Sequence, residues 1–166
     1  MTLRAFSQLA AVAALAAMGL ATVPARGADV LATHRLSAAL ATDIAVASIA
    51  ACAKMGYAIT AAVVDMDGVN QALIRGDGAG IHTVTTARDK AYTAVTYGRA
   101  TSAVGEQYKT RPSAVILKEP YLIPGDGGLP IKIGTETVGA LGISGSPGKD
   151  EVCGHTALDS VSARLK

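Results

Sequence analysis

The stretch that decides the fold is GGLPIKIGTETVGALGISGSPGKDE, residues 127–151. It predicts a short strand, a tight Gly-Thr-Glu turn and a second, glycine-rich strand. Gly134 suits a backbone that must reverse its direction within a few residues. The apolar residues after the turn, bounded by glycines and then by Pro147, favour the second strand. Asp150 and Glu151 follow at a point where a helix N-terminus favours acidic side chains. The stretch therefore predicts a hairpin that leads into a terminal helix.

Three glycines recur in the second strand of this hairpin, at Gly139, Gly142 and Gly145. A strand residue without a side chain allows another part of the structure to approach its backbone very closely. That neighbour is a helix, a partner subunit or a flat ligand, and the sequence leaves these three alternatives open.

The remaining chain predicts further helices and strands around this hairpin. The predicted elements are a helix at 36–55, strands at 57–65 and 69–75, helices at 83–98 and 101–111, a short strand at 121–123 and a last helix from 150 to 166. Two hairpins with helices between and outside them predict an antiparallel sheet, and therefore a single α+β domain. The length of 166 residues also suits one domain.

The N-terminus has the pattern of a secretory signal peptide. A basic residue, Arg4, precedes an apolar run from Leu9 to Val23, and small residues at Ala25 and Gly27 suit cleavage before Ala28. The run is shorter than the ~20 residues of a membrane span, which is the alternative interpretation. We therefore predict a signal peptide at 1–27, a mature domain at 28–166 and a periplasmic or secreted location.

The charge balance gives no reason to expect a nucleic acid or an anionic lipid as partner. The whole chain has a formal net charge of +2. Arg4 and Arg26 lie in the predicted signal peptide together with no acidic residue, so 13 of the 15 basic residues remain to face 13 acidic ones. A formally neutral mature protein gives no electrostatic argument for binding a nucleic acid or an anionic lipid.

Cys52 and Cys153 are the two cysteines of the chain. Their spacing matches neither CxxC nor CxxCH, so it indicates no thioredoxin-type site, zinc site or covalently attached c-type haem. An exported location permits a disulfide between them. The alternative is a pair of buried thiols that behave as small apolar side chains, and the spacing does not decide between the two.

Three blocks of the sequence together resemble a known family. They are residues 127–151, AVVDMDGVNQALIRGDGA at 62–79 and ARDKAYTAVTYGR at 87–99. In this order they are similar to the GlcG/HbpS family of haem-binding or haem-degrading domains, which is related to the C-terminal part of PduO. The resemblance extends from Leu36 to the C-terminus. It implies a profilin-like or PAS-like α+β domain with about five antiparallel strands, and a homo-oligomer.

A haem site would need an apolar slot, cations for the propionates and an axial ligand. The candidates are His82 and His155 as axial ligands, Arg88, Lys90 and Arg99 as propionate partners, and Tyr92 and Tyr97 as stacking or phenolate groups. Each of these residues alone also fits an ordinary surface role. The family has no fixed iron-ligand motif to transfer, so the candidates depend on their chemistry. We expect haem between subunits, at a site lined by the second helix and the glycine-rich strand.

Three functions are compatible with these patterns. The first is an exported haem-binding protein for storage, scavenging or sensing, in which any enzymatic activity would be slow oxidative haem degradation. The second is a non-enzymatic oligomeric module that binds another small ligand and is accessory to a metabolic pathway such as glycolate use. The third is an enzyme for a small organic acid. No HExxH or GxSxG motif occurs to indicate a helix-borne zinc site or a nucleophile elbow.

Overall fold

The computed structural model describes residues 30–110 and 119–166, which form four helices and four strands. They are α1 (Ala38–Ala53), β1 (Thr60–Asp65), β2 (Asn70–Arg75), α2 (Thr83–Tyr97), α3 (Thr101–Thr110), β3 (Gly128–Ile133), β4 (Glu136–Ser144) and α4 (Asp150–Val161), followed by a 3₁₀ turn at Ser162–Arg164. Residues Thr33–Lys166 form one compact unit. The predicted signal peptide at 1–27 lies outside the described residues. No helix in the described ranges is long and apolar enough to cross a bilayer.

The strands form one antiparallel sheet in the order β2-β1-β4-β3. The β3–β4 hairpin reverses at Gly134, whose φ is 57°, as the sequence predicted. The predicted α+β class with an antiparallel sheet is therefore confirmed, and the described residues contain four strands where about five were expected.

The short strand predicted at 121–123 is wrong. Tyr121 has a φ of 74°, outside the extended region that a strand requires. The backbone N–H of Ile123 donates to Oγ1 of Thr93 on α2 at 2.8 Å instead of to a neighbouring strand. The segment is therefore a loop that is fastened to α2.

The helices cover both faces of the sheet. One face packs against α1 and α4 around large apolar side chains, among them Ile44, Ile131 and Leu141. The other face packs against α2 through a smaller cluster that includes Val64, Ala91, Ala94 and Ala140. Small side chains on both surfaces let α2 lie close to the sheet.

Local hydrogen bonds explain where several helices begin and end. Oγ of Ser37 accepts from the N–H of Leu40 at 3.2 Å and caps α1, whereas Gly98 ends α2 in the left-handed conformation with φ 62°. The N-terminus of α4 is capped from outside the helix, because the carboxylate of Asp126 accepts from the N–H groups of Asp150 and Glu151 at 2.9 and 3.1 Å.

Two long-range links fasten the ends of the compact unit. Nδ1 and the backbone N of His34 contact the carboxylate of Glu136 at 2.7 and 3.0 Å, which ties the segment before α1 to the β3–β4 turn. Cys52 and Cys153 form a disulfide with a Cα–Cα distance of 5.2 Å, and both residues are fully buried. Of the two alternatives left open by the spacing, the structure has the disulfide, which joins the end of α1 to the first turn of α4.

Candidate functional site

The close neighbours of the glycine-rich strand are parts of the protein itself. A Cβ added at Gly142 would lie 2.0 Å from the carbonyl oxygen of Ala87 on α2. Gly139 and Gly145 are approached in the same way, at 2.4 and 2.6 Å, by the backbone of β1 and of the segment before it. A helix and a neighbouring strand therefore account for these glycines. No flat ligand fits against this surface of β4 within one chain, so the strand does not line a slot beside α2.

Lys90 is committed to an internal ion pair. Its Nζ lies 2.7 Å from Oδ2 of Asp150 and 3.2 Å from the carbonyl oxygen of Ile143, and both charged side chains are buried. Breaking such a pair would leave an uncompensated buried charge, which is strongly unfavourable. Lys90 is therefore not available to a propionate, in contrast to the expectation from the sequence.

Other predicted residues do meet on the side of α2 that faces away from the sheet. We call this the outer face of α2 and define it by Ile81, Thr85, Arg88 and Tyr92, which recur at helical spacing. Ile81 is 81% exposed and Tyr92 is 38% exposed. The ring of Tyr121, 58% exposed, lies beneath the guanidinium of Arg88 at 5.2 Å. The outer face of α2 therefore combines an exposed apolar surface, aromatic rings and a cation.

The β1–β2 turn extends this apolar surface. A Cβ at Gly68 would lie 2.7 Å from the ring of Tyr92, so the turn packs directly against that ring. Met66 and Val69, on either side of Gly68, are exposed. Exposed apolar side chains that adjoin one another are typical of a surface that is covered by a ligand or a partner.

Arg88 keeps free hydrogen-bonding capacity although it has an acidic neighbour. Its Nε and Nη2 both contact Oδ1 of Asp89, at 2.9 and 2.7 Å. A guanidinium carries five N–H donors, so three have no partner among residues 30–110 and 119–166. The half-buried Arg88 can therefore still bind a carboxylate that arrives from solvent.

His82 lies beside the start of the outer face of α2, at the residue before the helix starts. It is exposed, and its imidazole packs back over Gly80, where an added Cβ would meet Cε1 at 2.7 Å. Six residues separate His82 from Arg88, roughly 9 Å along the helix axis and about 120° around it. His82 therefore flanks the outer face of α2 and is not in line with Arg88.

His155 lies on the opposite side of the sheet from His82. It is an exposed residue of α4, one turn beyond Glu151, whereas His82 belongs to the α2 side. Because the sheet separates these two helices, His82 and His155 of one chain cannot bind the same iron.

Tyr97 and Arg99 form a third group at the far end of α2, roughly 22 Å from His82 along the axis. The hydroxyls of Tyr97 and Tyr108 lie 3.0 Å apart, and the guanidinium of Arg99 lies 5.8 Å from the ring centre of Tyr97. Arg99 also donates to the side chain of Gln107. These two candidates therefore belong to a different part of the surface from His82.

Tyr97 does not supply a phenolate at neutral pH. Burial, together with the hydrogen bond to Tyr108, raises the pKa of Tyr97 to about 12, although the nearby Arg99 acts in the opposite direction. The phenol form is favoured because the charged form would lose solvation in this position. The phenolate role that the sequence left open for Tyr97 is therefore not supported.

A cleft of about 520 Å³ adjoins this tyrosine pair. We call it the α3 cleft; it is lined by Ser102, Gly105, Glu106, Tyr108, Lys109, Pro124, Gly125 and Asp126. Its volume is in the range of small-molecule sites. Its walls are held by α4, because the carboxylate of Glu151 accepts from the N–H and the Oγ of Ser102 at 2.9 and 2.7 Å.

The α3 cleft has no counterpart among the sites predicted from the sequence. Its walls come from α3 and from the loop before β3, and the contacts that hold them join residues 49 positions apart. A metal site is not formed by the described residues, since no three His, Cys, Asp or Glu side chains among them are placed to share an ion.

The fold and the site define an α+β domain with an exposed aromatic and cationic helix face. The family model described as "Haem degrading protein HbpS-like" matches residues 36–159, and the chain belongs to this family. Among solved structures, a double mutant of HbpS from Streptomyces reticuli is 30% identical with a TM-score of 0.75, over 86% of this chain and 98% of that chain.

Two more distant structures share the fold. Protein ORFY from Klebsiella pneumoniae is 23% identical with a TM-score of 0.77, over 83% of this chain and 98% of that chain. A PduOC–haem complex is 22% identical with a TM-score of 0.69, over 76% of this chain and 95% of that chain. The curated proteins contain no significant match.

Proposed function

We propose that the protein is an exported haem-binding protein that holds haem against the outer face of α2. Membership of the HbpS-like family and the structural likeness to a domain crystallised with haem support the ligand. The observation that supports the location is the exposed outer face of α2 with Arg88 and Tyr92, next to which His82 is exposed at the start of the helix. Their chemistry matches the apolar plane, the carboxylates and the iron of haem.

The chain's own residues would hold and orient the cofactor. The ring of Tyr92 and the apolar β1–β2 turn would cover part of the porphyrin, the free donors of Arg88 would bind a propionate, and His82 would be the axial ligand. Bound haem would supply a redox-active iron. Because this face is open to solvent on one side, a second subunit is needed to cover the other side of the porphyrin. We therefore propose a homo-oligomer with haem at a subunit contact.

The disulfide supports the proposal that the protein is exported. Disulfides persist in oxidising compartments and are rare in the reducing cytosol. The Cys52–Cys153 bond is buried in the core, and the signal-peptide pattern at 1–27 points to the same compartment. We propose a periplasmic or secreted location.

A hemin titration of the mature chain, residues 28–166, tests the ligand and its position. We expect a sharp, saturable Soret band. His82→Ala should abolish the sharp band, and His155→Ala, on the other side of the sheet, is the matched control.

Arg88→Gln should weaken binding about tenfold or more, since a charge-assisted hydrogen bond contributes about 1.5–3 kcal/mol. Arg164→Gln is its control, because Arg164 forms an exposed pair with Asp43. Broadening without saturation would refute haem binding, and loss of the band in His155→Ala alone would refute the location.

The α3 cleft favours a second candidate function, the binding of a small polar ligand by an accessory protein. Its lining includes the hydroxyl groups of Ser102 and Tyr108 and the cation of Lys109, which are the groups that could bind a small polar ligand. Thermal shift with glycolate as the probe tests this function. A saturable stabilisation that Lys109→Gln removes and Arg88→Gln leaves intact would support it. Absence of any shift up to millimolar glycolate would reject glycolate as the ligand.

A further inference from the structure

A continuous buried network extends from the disulfide to the ion pair of α2. Oγ of Ser146 lies 3.4 Å from Sγ of Cys52 and 3.8 Å from Sγ of Cys153, and it donates to Oδ1 of Asp150 at 2.6 Å. The other carboxylate oxygen of Asp150 accepts from Lys90 at 2.7 Å. All five side chains are buried. The state of the two sulfurs is therefore coupled to Asp150 through one hydroxyl group.

The same turn of α4 positions the walls of the α3 cleft. Asp126, a wall residue, is held by the N–H groups of Asp150 and Glu151, and Glu151 in turn holds Ser102. Cys153 is the fourth residue of α4 and belongs to the same turn. A movement of the first turn of α4 must therefore change the position of at least two walls of the cleft.

The packing of α4 limits how it can respond to a change at the sulfurs. A Cβ added at Gly154 would lie 2.7 Å from Cδ1 of Leu129 on β3, so the helix already touches the sheet without a gap. Two reduced thiols must separate from bonding distance to van der Waals distance. Because α4 cannot move closer to the sheet, the sulfurs would separate by rotation of the two cysteine side chains together with an outward movement of the first turn of α4. Each new S–H group would also compete for Oγ of Ser146.

We propose that the Cys52–Cys153 disulfide is a redox-sensitive latch that sets the shape of the α3 cleft. Reduction by an external dithiol breaks the S–S bond, places one hydrogen on each cysteine sulfur and converts the dithiol into its own disulfide, a two-electron exchange. The oxidised chain keeps the first turn of α4, Asp126 and Ser102 in place. The reduced chain keeps its fold but releases these cleft walls.

Amide hydrogen exchange on the ¹⁵N-labelled mature chain tests this latch without haem, so its outcome is independent of the hemin titration. The chain is compared before and after incubation with dithiothreitol. Four cleft amides, as we call them, donate to the carboxylates of Asp126 or Glu151 that hold the cleft walls; they belong to Ser102, Gly127, Asp150 and Glu151. We expect these four amides to exchange about tenfold faster or more after reduction. The amides of Val63 and Val64 in the centre of the sheet should keep their protection.

The variant Cys52→Ser/Cys153→Ser is the matched control. It should show the fast exchange at the cleft walls from the start and should not respond to dithiothreitol. Unchanged exchange at the four cleft amides after complete reduction, verified by thiol counting, would overturn the proposal. Uniform loss of protection over the whole sheet, or a double variant that does not fold, would also overturn it, since the disulfide would then be a support of the whole fold.

Discussion

Gly142→Ala is expected to be strongly destabilising, because α2 packs on the backbone of β4 at this point. The added Cβ would lie 2.0 Å from the carbonyl oxygen of Ala87 and 2.5 Å from the backbone N of Ala91. Both atoms belong to the helix backbone, so no side-chain rotation relieves the contact. To restore an ordinary separation of 3.4 Å from the carbonyl oxygen of Ala87, α2 must move by roughly 1.4 Å. Overpacking of this kind costs about 1–3 kcal/mol, and more where backbone has to move.

The loss of packing adds to this cost. Ala91 and Ala94 form the contact between α2 and the sheet, and both are fully buried. Lifting α2 exposes these side chains and loosens Lys90 from its carboxylate partner. We therefore expect a total loss of about 3–5 kcal/mol, a large part of the 5–15 kcal/mol that a domain of this kind has.

Urea unfolding followed by far-ultraviolet circular dichroism measures this effect. Gly105→Ala is the matched control, since Gly105 is in the interior of α3 and an added Cβ would meet its nearest atom at 3.6 Å, an ordinary contact. The control should be stabilised by about 0.5–1 kcal/mol through helix propensity. A loss below about 0.5 kcal/mol for Gly142→Ala would refute the close packing on which the site description depends.

Three further predictions concern charges. Lys90→Met should cost about 3–5 kcal/mol in urea unfolding because it leaves the Asp150 carboxylate buried and unpaired, and adding Asp150→Asn should recover part of the loss; equal stability of the two variants would contradict a buried pair. Tyr108→Phe should lower the pKa of Tyr97 from about 12, because it removes a hydrogen bond to the phenol while burial remains; an unchanged tyrosinate absorbance titration would contradict this. The hydrogen bonds that Glu136 accepts from the side chain and the backbone N–H of His34 lower the pKa of Glu136. This contact should therefore stabilise the fold above the unfolded pKa of a glutamate, and the stabilisation should be lost as the pH falls through the lowered pKa. NMR titration of the Glu136 carboxyl carbon would show this, and a midpoint in the usual glutamate range would refute it.

The elements that local sequence could predict were those that local chemistry determines. The hairpin around Gly134 needs a turn residue with positive φ, and the stripe of small residues on α2 recurs at helical spacing. Both signals lie within one element and its nearest neighbours. The prediction of a strand at 121–123 was wrong because the backbone of this segment is held by Thr93 of α2, 30 residues away.

The candidate site was only partly predictable for the same reason. Exposed residues of one helix, such as Arg88 and Tyr92, could be grouped from their spacing. The buried ion pair of Lys90 could not be predicted, because its carboxylate partner, Asp150, lies 60 residues further along the chain. The position of His155 behind the sheet depends on the order of the strands, which no local pattern determines. The α3 cleft depends on contacts between three separate segments.

Both outer strands of the described sheet carry an interruption of their backbone. On β3, Pro130 has no N–H to offer to an added strand. On β2, the register shifts opposite Val63 and Val64, which leaves Gln71 outside the regular ladder. Such breaks discourage another chain from prolonging a sheet. We therefore expect copies of this protein to meet through side chains on helix surfaces, so that they can reach a high concentration without growing into fibres.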